Sequence, residues 1–170
     1  MTIYKDTDPC TDIILDFIAE HESAGNYNAV IGNAKATRDL SRETLAGIYG
    51  VMDSLLIRGL PSTAVGRYQF VRATLQSLAE KAGIGRSDRF TPDLQDRLGW
   101  MLLCRRGYRD WWLSTIDDEQ FAHNLSLEWA SLPDPFNGGK SHYDGIGPNH
   151  AGTTLDAVYA MLVAARAAQP

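Results

Sequence analysis

The stretch that organises this chain reads His21-Glu22-Ser23-Ala24-Gly25-Asn26-Tyr27-Asn28-Ala29-Val30. Before it, apolar residues recur at helical spacing between residues 13 and 18, and Thr11 or Asp12 can cap the start of a helix. The glycine and the two asparagines of the stretch favour turn geometry and end that helix. Glu22 is therefore expected at the helix end, where a rigid element holds a carboxylate that can still face a cleft.

Length and composition restrict the class of protein. A chain of 170 residues predicts a single domain over residues 1–170, or at most two small lobes that share a core. The formal net charge of −5 argues against a general nucleic-acid binder, which would more often be basic. The sequence holds no apolar run of roughly 18 residues, so we expect no membrane insertion. Residues 1–12 are polar and partly acidic, unlike a secretory signal, and predict a soluble product made in the cytosol.

Helical periodicity dominates the rest of the chain, so the predicted fold is mostly α. One small β or irregular region is expected near residues 26–40, where small polar residues prevail. Residues 132–149 combine four glycines with three prolines, and a loop of this length in a compact domain is usually functional or disordered. The further predicted helices run over residues 41–58, 68–81, 92–106, 108–113, 117–129 and 152–168.

Several chemistries find no support in the motifs. His21-Glu22 lacks the second histidine that a zinc-binding His-Glu-x-x-His helix requires, since position 25 is Gly. Neither a Gly-x-Ser-x-Gly elbow nor a phosphate-binding loop is present. Cys10 and Cys104 match no metal spacing and predict two thiols, with a disulfide only in an oxidising compartment. We therefore expect no metal and no cofactor.

Three segments resemble one enzyme family, in the order that the family shows. Residues 62–70 (Ser-Thr-Ala-Val-Gly-Arg-Tyr-Gln-Phe) look like the loop–helix motif of the phage-lambda-type lysozymes, which are lytic transglycosylases. Residues 124–133 (Asn-Leu-Ser-Leu-Glu-Trp-Ala-Ser-Leu-Pro) resemble the late Trp-Ala-Ser-Leu-Pro motif of that family. Residues 22–30 are similar to the Glu-Ser motif of the bacterial and goose-type transglycosylase and lysozyme group.

This resemblance implies a lysozyme-like α+β fold, mostly helical, with a small lip beside the active-site cleft. It also implies an enzyme that cleaves the β-1,4 bond between N-acetylmuramic acid and N-acetylglucosamine in peptidoglycan. Glu22 would be the general acid that protonates the leaving oxygen. The lambda-type family uses one essential acid and forms a 1,6-anhydro sugar, so the transglycosylase product is favoured.

The same resemblance suggests which residues touch the glycan strand. Tyr68 and Gln69 would line the cleft opposite Glu22, and Gly66 would let the backbone approach closely. Further expected substrate contacts are Ser23, Tyr27 and Asn28. Tyr143, in the glycine-rich loop, is either another substrate contact or simply exposed.

Other interpretations of these residues stay open. Asp39 could be a second carboxylate that makes the enzyme a hydrolase, or only a polar residue before the next helix. Glu20 is the competing acid, but it points elsewhere on the helix because it lies two residues from Glu22. Tyr68 could instead pack in the core at a helix start, and Trp129 is expected in the core rather than as a sugar platform.

The expected binding partner is the glycan strand of peptidoglycan, and we expect no binding of nucleic acid. The protein is expected to be a monomer. A protein without a signal peptide would reach the periplasm or cell wall by phage-type or secretion-type delivery. A non-catalytic module that only holds glycan, such as a phage-tail component, is the alternative to an enzyme.

Overall fold

The computed structural model describes residues 9–33, 35 and 38–168, and these form two compact units. Unit 1 comprises residues 22–99, and unit 2 comprises residues 9–21 together with residues 100–168. The described residues contain seven α-helices and only isolated β-bridges, so the prediction of a mostly α fold is confirmed. The α-helices are α1 (Pro9–Ser23), α2 (Leu45–Ile57), α3 (Arg72–Ala82), α4 (Pro92–Arg105), α5 (Tyr108–Trp112), α6 (Asp118–Ser126) and α7 (Leu155–Ala167), and two 3₁₀-helices span Leu40–Arg42 and Pro135–Asn137.

The predicted β or irregular lip is an irregular turn region in unit 1. Val30 forms single antiparallel bridges with Asn33 and with Val65, and Val65 forms another with Phe70. The Ile31 amide also donates to the Ala64 carbonyl over 2.9 Å. The segment after α1 is thereby tied to residues 64–70 by backbone hydrogen bonds, without a regular strand among the described residues.

Two predicted helix starts are wrong for the same physical reason. The helix expected from residue 68 begins only at Arg72, because Gln69 has a left-handed φ of 50° and the Phe70 carbonyl accepts from the Val65 amide at 3.1 Å. The helix expected from residue 41 is a 3₁₀ turn, and α2 begins at Leu45. There the Leu45 amide donates to the Asp88 carbonyl at 2.8 Å. Tertiary partners have taken backbone groups that a longer helix would have used internally.

Helix α4 starts as predicted and buries most of its apolar residues. Thr91 caps it by accepting from the Leu94 amide, and Pro92 occupies the first helical position. Leu94 is only half-buried, whereas the polar Gln95 is fully buried. One buried stripe of this helix contains Gln95, Leu98, Gly99 and Leu102, and Trp100, Met101 and Leu103 are buried as well.

Unit 2 is built around aromatic packing. Trp111 stacks on Phe121 with ring centroids 4.9 Å apart, and the Arg166 guanidinium lies 4.3 Å from the Trp111 ring centroid. Trp129 is 2% exposed, which places it in the core and leaves no face for a sugar. Cys10 is buried and Cys104 is half-buried, and the two form no disulfide. None of the described helices is both long and apolar enough to cross a membrane.

Candidate active site

Glu22 lies where the sequence predicts it, as the penultimate residue of α1. Its side chain is half-buried, and the helix ends directly after Ser23, where Ala24 and Gly25 adopt left-handed φ angles of 51° and 72°. Ser23 is 2% exposed, and its hydroxyl donates to the Arg67 carbonyl over 2.7 Å. The Glu-Ser motif and the Gly-Arg-Tyr-Gln motif, 44 residues apart along the chain, are therefore joined directly.

A strained turn lies beside the backbone of Glu22. Ile31 has a φ of 50°, which is unusual for a β-branched residue, and Gly32 follows with a φ of 67°. A methyl group added to Gly32 would lie 3.8 Å from the Glu22 carbonyl oxygen. Strain of this kind costs of order 1 to 3 kcal/mol and persists only where the surroundings hold it.

Gln69 holds that turn. Its Oε1 accepts from the Gly32 amide at 2.6 Å, while its Nε2 donates to the Gly66 carbonyl at 2.7 Å. Gln69 itself has a φ of 50°. The sequence predicts that the Gln69 side-chain amide contacts substrate. In the structure its oxygen and its nitrogen are both hydrogen-bonded within unit 1, although the residue is only half-buried.

Behind this turn lies a cluster of Tyr27, Arg67, Tyr68 and Asp96, which we call the Asp96 cluster. Asp96 accepts from the hydroxyls of Tyr27 and Tyr68 at 2.9 and 2.8 Å, and from Nη1 of Arg67 at 3.2 Å. The same Nη1 donates to the Tyr27 hydroxyl at 2.9 Å. Burial and the Asp96 carboxylate raise the pKa of Tyr27 to about 12, and burial and Asp96 also raise the pKa of Tyr68. Both phenols therefore stay protonated donors at neutral pH.

Tyr68 and Gly66 are packed inside unit 1. Tyr68 is 1% exposed, and a methyl group on Gly99 would come within 2.8 Å of its ring. This favours the core-packing role for Tyr68 over a direct sugar contact. Gly66 is buried with a φ of 79°, and a side chain there would meet Oε1 of Gln95 at 2.5 Å. Gly66 thus permits a close approach, but the group that approaches is a buried amide of the protein.

Gln95 and Asp96 were not predicted from the sequence as part of this site. Gln95 accepts from the Arg67 amide at 2.9 Å and donates to the carbonyls of Tyr27 and Phe90, both at 3.1 Å. The available signal was spacing, because Gln95 shares a helical stripe with Leu98, Gly99 and Leu102. A glutamine on the apolar stripe of a helix indicates a buried amide that needs partners.

Asn28 and Asp39 both support the loop after α1. Asn28 is half-buried, and its Oδ1 accepts from the Leu40 amide at 2.8 Å. Asp39 caps the 3₁₀-helix Leu40–Arg42: one oxygen accepts from the Ser41 amide and hydroxyl, and the other lies 3.0 Å from Nε of Arg42. Hydrogen bonding from Ser41, aided by Arg42, lowers the pKa of Asp39, so this exposed carboxylate is ionised at neutral pH.

Tyr143 belongs to unit 2, beside a second carboxylate. Its hydroxyl donates to the Leu127 carbonyl at 2.8 Å, and its ring contacts His142. Asp134 is 2% exposed and lies 2.8 Å from Nδ1 of His123 and 2.9 Å from Nδ1 of His142. It also accepts from the Phe136 amide at 2.9 Å. We call this group the Asp134 cluster; it fixes the start of the loop that the sequence predicts as functional.

These residues coincide with no metal site among the described residues, and they lie outside a surface depression of unit 2. Within the described parts of the chain, no group of three or more His, Cys, Asp or Glu residues could hold a metal ion. An open depression in unit 2 is lined by residues 114–119 with Tyr159 and Arg166, and none of the predicted site residues lines it. The Glu22 region is therefore the candidate site on the strength of its residues and contacts.

Comparison with known proteins identifies the family. A family model described as Endolysin matches residues 13–162, which is most of the chain and includes every residue discussed above as a site candidate. A search of curated proteins gives no match. The match extends from α1, which carries Glu22, to α7. The chain belongs to the Endolysin family, whose members are phage enzymes that degrade peptidoglycan.

Proposed function

We propose that this endolysin is a muramidase that cleaves the β-1,4 bond between N-acetylmuramic acid and N-acetylglucosamine, with Glu22 as the general acid. The observation that carries the proposal is the 2.7 Å hydrogen bond from the Ser23 hydroxyl to the Arg67 carbonyl. This hydrogen bond joins the Glu-Ser motif to the Gly-Arg-Tyr-Gln motif, and the sequence predicts that both belong to one site. We further propose that the protein reaches the cell wall by phage-type delivery.

The surroundings of Glu22 support it over Glu20 as the acid. Glu20 is exposed on α1, whereas Glu22 is half-buried at the helix end, next to the strained turn at Ile31 and Gly32. A general acid works best where the protein fixes its direction and excludes part of the surrounding water. The hydrogen bond of Ser23 holds the helix end that carries Glu22, and Gln69 holds the turn at Gly32 near the Glu22 carbonyl.

In the proposed reaction, Glu22 donates its proton to the bridging oxygen as the bond from that oxygen to C1 of N-acetylmuramic acid breaks. The C6 hydroxyl of the same sugar then attacks C1 and returns its proton to the Glu22 carboxylate. The products are a 1,6-anhydro-muramoyl end and a free N-acetylglucosamine hydroxyl, with no water consumed. In a hydrolase, water would attack C1 instead, activated by a second carboxylate.

The placement of Asp39 favours the one-acid route. Both of its oxygens are engaged, one by Ser41 and one by Arg42, and its side chain is 45% exposed. A base that activates water must be held within reach of that water and keep an oxygen available for it. Asp39 caps the 3₁₀-helix Leu40–Arg42, which is consistent with the alternative of a polar residue before the next helix.

Mass spectrometry of digested peptidoglycan tests this proposal. We expect fragments that end in 1,6-anhydro-N-acetylmuramic acid, which are lighter by one water than hydrolysed ends. Glu22→Gln keeps the shape of the side chain and removes the proton that it donates, so release should fall by about 1,000-fold. Glu20→Gln, two residues away on the same helix, is the matched control and should retain wild-type release.

The outcomes separate the rival functions. Hydrolysed ends that vanish in Asp39→Asn would establish the two-carboxylate hydrolase. Wild-type protein that binds peptidoglycan but releases no soluble fragment would indicate a glycan-binding module. Full activity in Glu22→Gln would refute the assignment of the acid.

A further inference from the structure

We propose that Asp96 is a positioning residue for Glu22, acting through Arg67. This inference rests on the proposed function, since it concerns the same site. Asp96 lies on α4 and belongs to none of the three motifs by which the chain resembles lysozymes. The proposed reaction assigns it no step.

The Asp96 carboxylate is the point at which three side chains converge. It accepts from two phenols and from the Arg67 guanidinium at distances between 2.8 and 3.2 Å. Asp96 and Arg67 side chains are each only 15% exposed. Hydrogen bonds to an ionised acceptor are stronger and shorter than neutral ones, and partial burial protects them from screening.

Arg67 connects this cluster to the helix end that carries Glu22. Its guanidinium binds Asp96, its amide donates to Oε1 of Gln95, and its carbonyl accepts the Ser23 hydroxyl. The guanidinium also lies 5.0 Å from the Tyr27 ring centroid. Because side chain and backbone of Arg67 are both held from α4, a displacement at Asp96 moves the acceptor that fixes Ser23.

The charge of Asp96 matters as much as its shape. Asparagine at this position would keep one acceptor oxygen but remove a negative charge from beside a largely buried guanidinium. Removing one partner of such a pair is far more disruptive than its net contribution to stability suggests. The Arg67 side chain would then shift towards water, and the hydrogen bond from Ser23 would lengthen or break.

The test measures turnover of a soluble peptidoglycan fragment by wild type and Asp96→Asn. We expect kcat to fall by about 10- to 100-fold, with KM changed by less than about 3-fold, because misplacing a catalytic group affects the chemical step. Asp93→Asn, an exposed carboxylate one turn earlier on α4, is the matched control and should keep wild-type values. Leu78→Ala, a buried substitution in α3, controls for stability loss alone.

A second measurement reports on the cluster without any substrate. Burial and Asp96 raise the pKa of Tyr27 to about 12, so its titration, followed by the ring-carbon NMR signal, should move to lower pH in Asp96→Asn and stay unchanged in Asp93→Asn. Arg67→Lys should also lower kcat. Combined with Asp96→Asn it should add little, because both substitutions act on one contact.

The results distinguish this inference from the proposed function. Wild-type protein that releases no fragment overturns the proposed function and this role with it. Active wild type with kcat unchanged in Asp96→Asn overturns the role of Asp96 alone. So does an equal kcat loss in Leu78→Ala at the same folded fraction, because Asp96 would then act only through stability.

Discussion

Two carboxylates, the largely buried Asp96 in unit 1 and the fully buried Asp134 in unit 2, organise their surroundings in contrasting ways. Asp96 accepts hydrogen bonds from an arginine and two tyrosines. Asp134 contacts two histidines and accepts from the backbone amide of Phe136. Asp96 joins segments that are distant in sequence, whereas the partners of Asp134 lie within 11 residues of it along the chain. The identity of the partners, rather than the carboxylate itself, decides what each cluster can do.

Arginine carries its charge at every pH at which a protein is folded, while an imidazole can gain or lose its charge near neutrality. The Asp96 cluster therefore keeps a fixed charge pattern, as a site that positions a catalytic group requires. The Asp134 cluster holds the beginning of the long loop of unit 2, where Tyr143 lies. We interpret the Asp96 cluster as one that positions a catalytic group, and the Asp134 cluster as one that stabilises a loop.

The largest effect that separates the two clusters is expected from Asp134→Ala. This change removes the acceptor of His123, His142 and the Phe136 amide, and should lower the free energy of unfolding by about 3 kcal/mol. Chemical denaturation measures the loss, and kcat per folded molecule should stay within about 2-fold of wild type. Asp144→Ala, an exposed carboxylate in the same loop, is the control and should cost less than about 1 kcal/mol. If Asp134→Ala lowered kcat as much as Asp96→Asn does, the distinction between a positioning cluster and a loop-stabilising cluster would be wrong.

A smaller effect is expected from pH: the Asp134 cluster should lose stability in acid, and the Asp96 cluster should lose stability in alkali. Burial raises the pKa of Asp134, but hydrogen bonds from His123, His142 and Phe136 outweigh it and hold that pKa below its ordinary value. Its contribution to stability is therefore complete above about pH 3.9 and is lost as pH falls through the lowered pKa. The pKa of Tyr27 is raised to about 12, so its contribution is complete below about pH 10 and is lost as pH rises towards 12.

Denaturation across the pH range measures both limbs. Asp134→Asn should make the acid limb shallower, and Tyr27→Phe should make the alkaline limb shallower, each without affecting the other. Wild type and Asp134→Asn that lose stability in parallel below about pH 4 would contradict the acid assignment.

The contrast also explains what the sequence could predict. The end of α1 just after Glu22 and the start of α4 at Pro92 were predictable, because turn residues and a threonine cap act locally. The absence of a helix start at Tyr68 was not predictable, since Gln69 has a left-handed φ and is held by hydrogen bonds to Gly32 and Gly66. Asp96 resembles the exposed Asp93 in its local sequence, and only the tertiary structure brings Arg67 and two phenols to it.

The smallest effect is expected at Asp39, which is the exposed counterpart of Asp96 and Asp134. It too contacts a hydroxyl and an arginine, but an ion pair between exposed side chains contributes little. Asp39→Asn should keep the cap on the 3₁₀-helix, leave the stability nearly unchanged and keep the rate of fragment release within about 2-fold of wild type. Asp39→Ala, which also removes the cap, should lower the stability more than Asp39→Asn and still give 1,6-anhydro ends. A rate loss in Asp39→Asn that approaches that of Glu22→Gln would show that water activation by Asp39 is part of the reaction, and that partner identity and burial are poor guides to the roles of carboxylates in this enzyme.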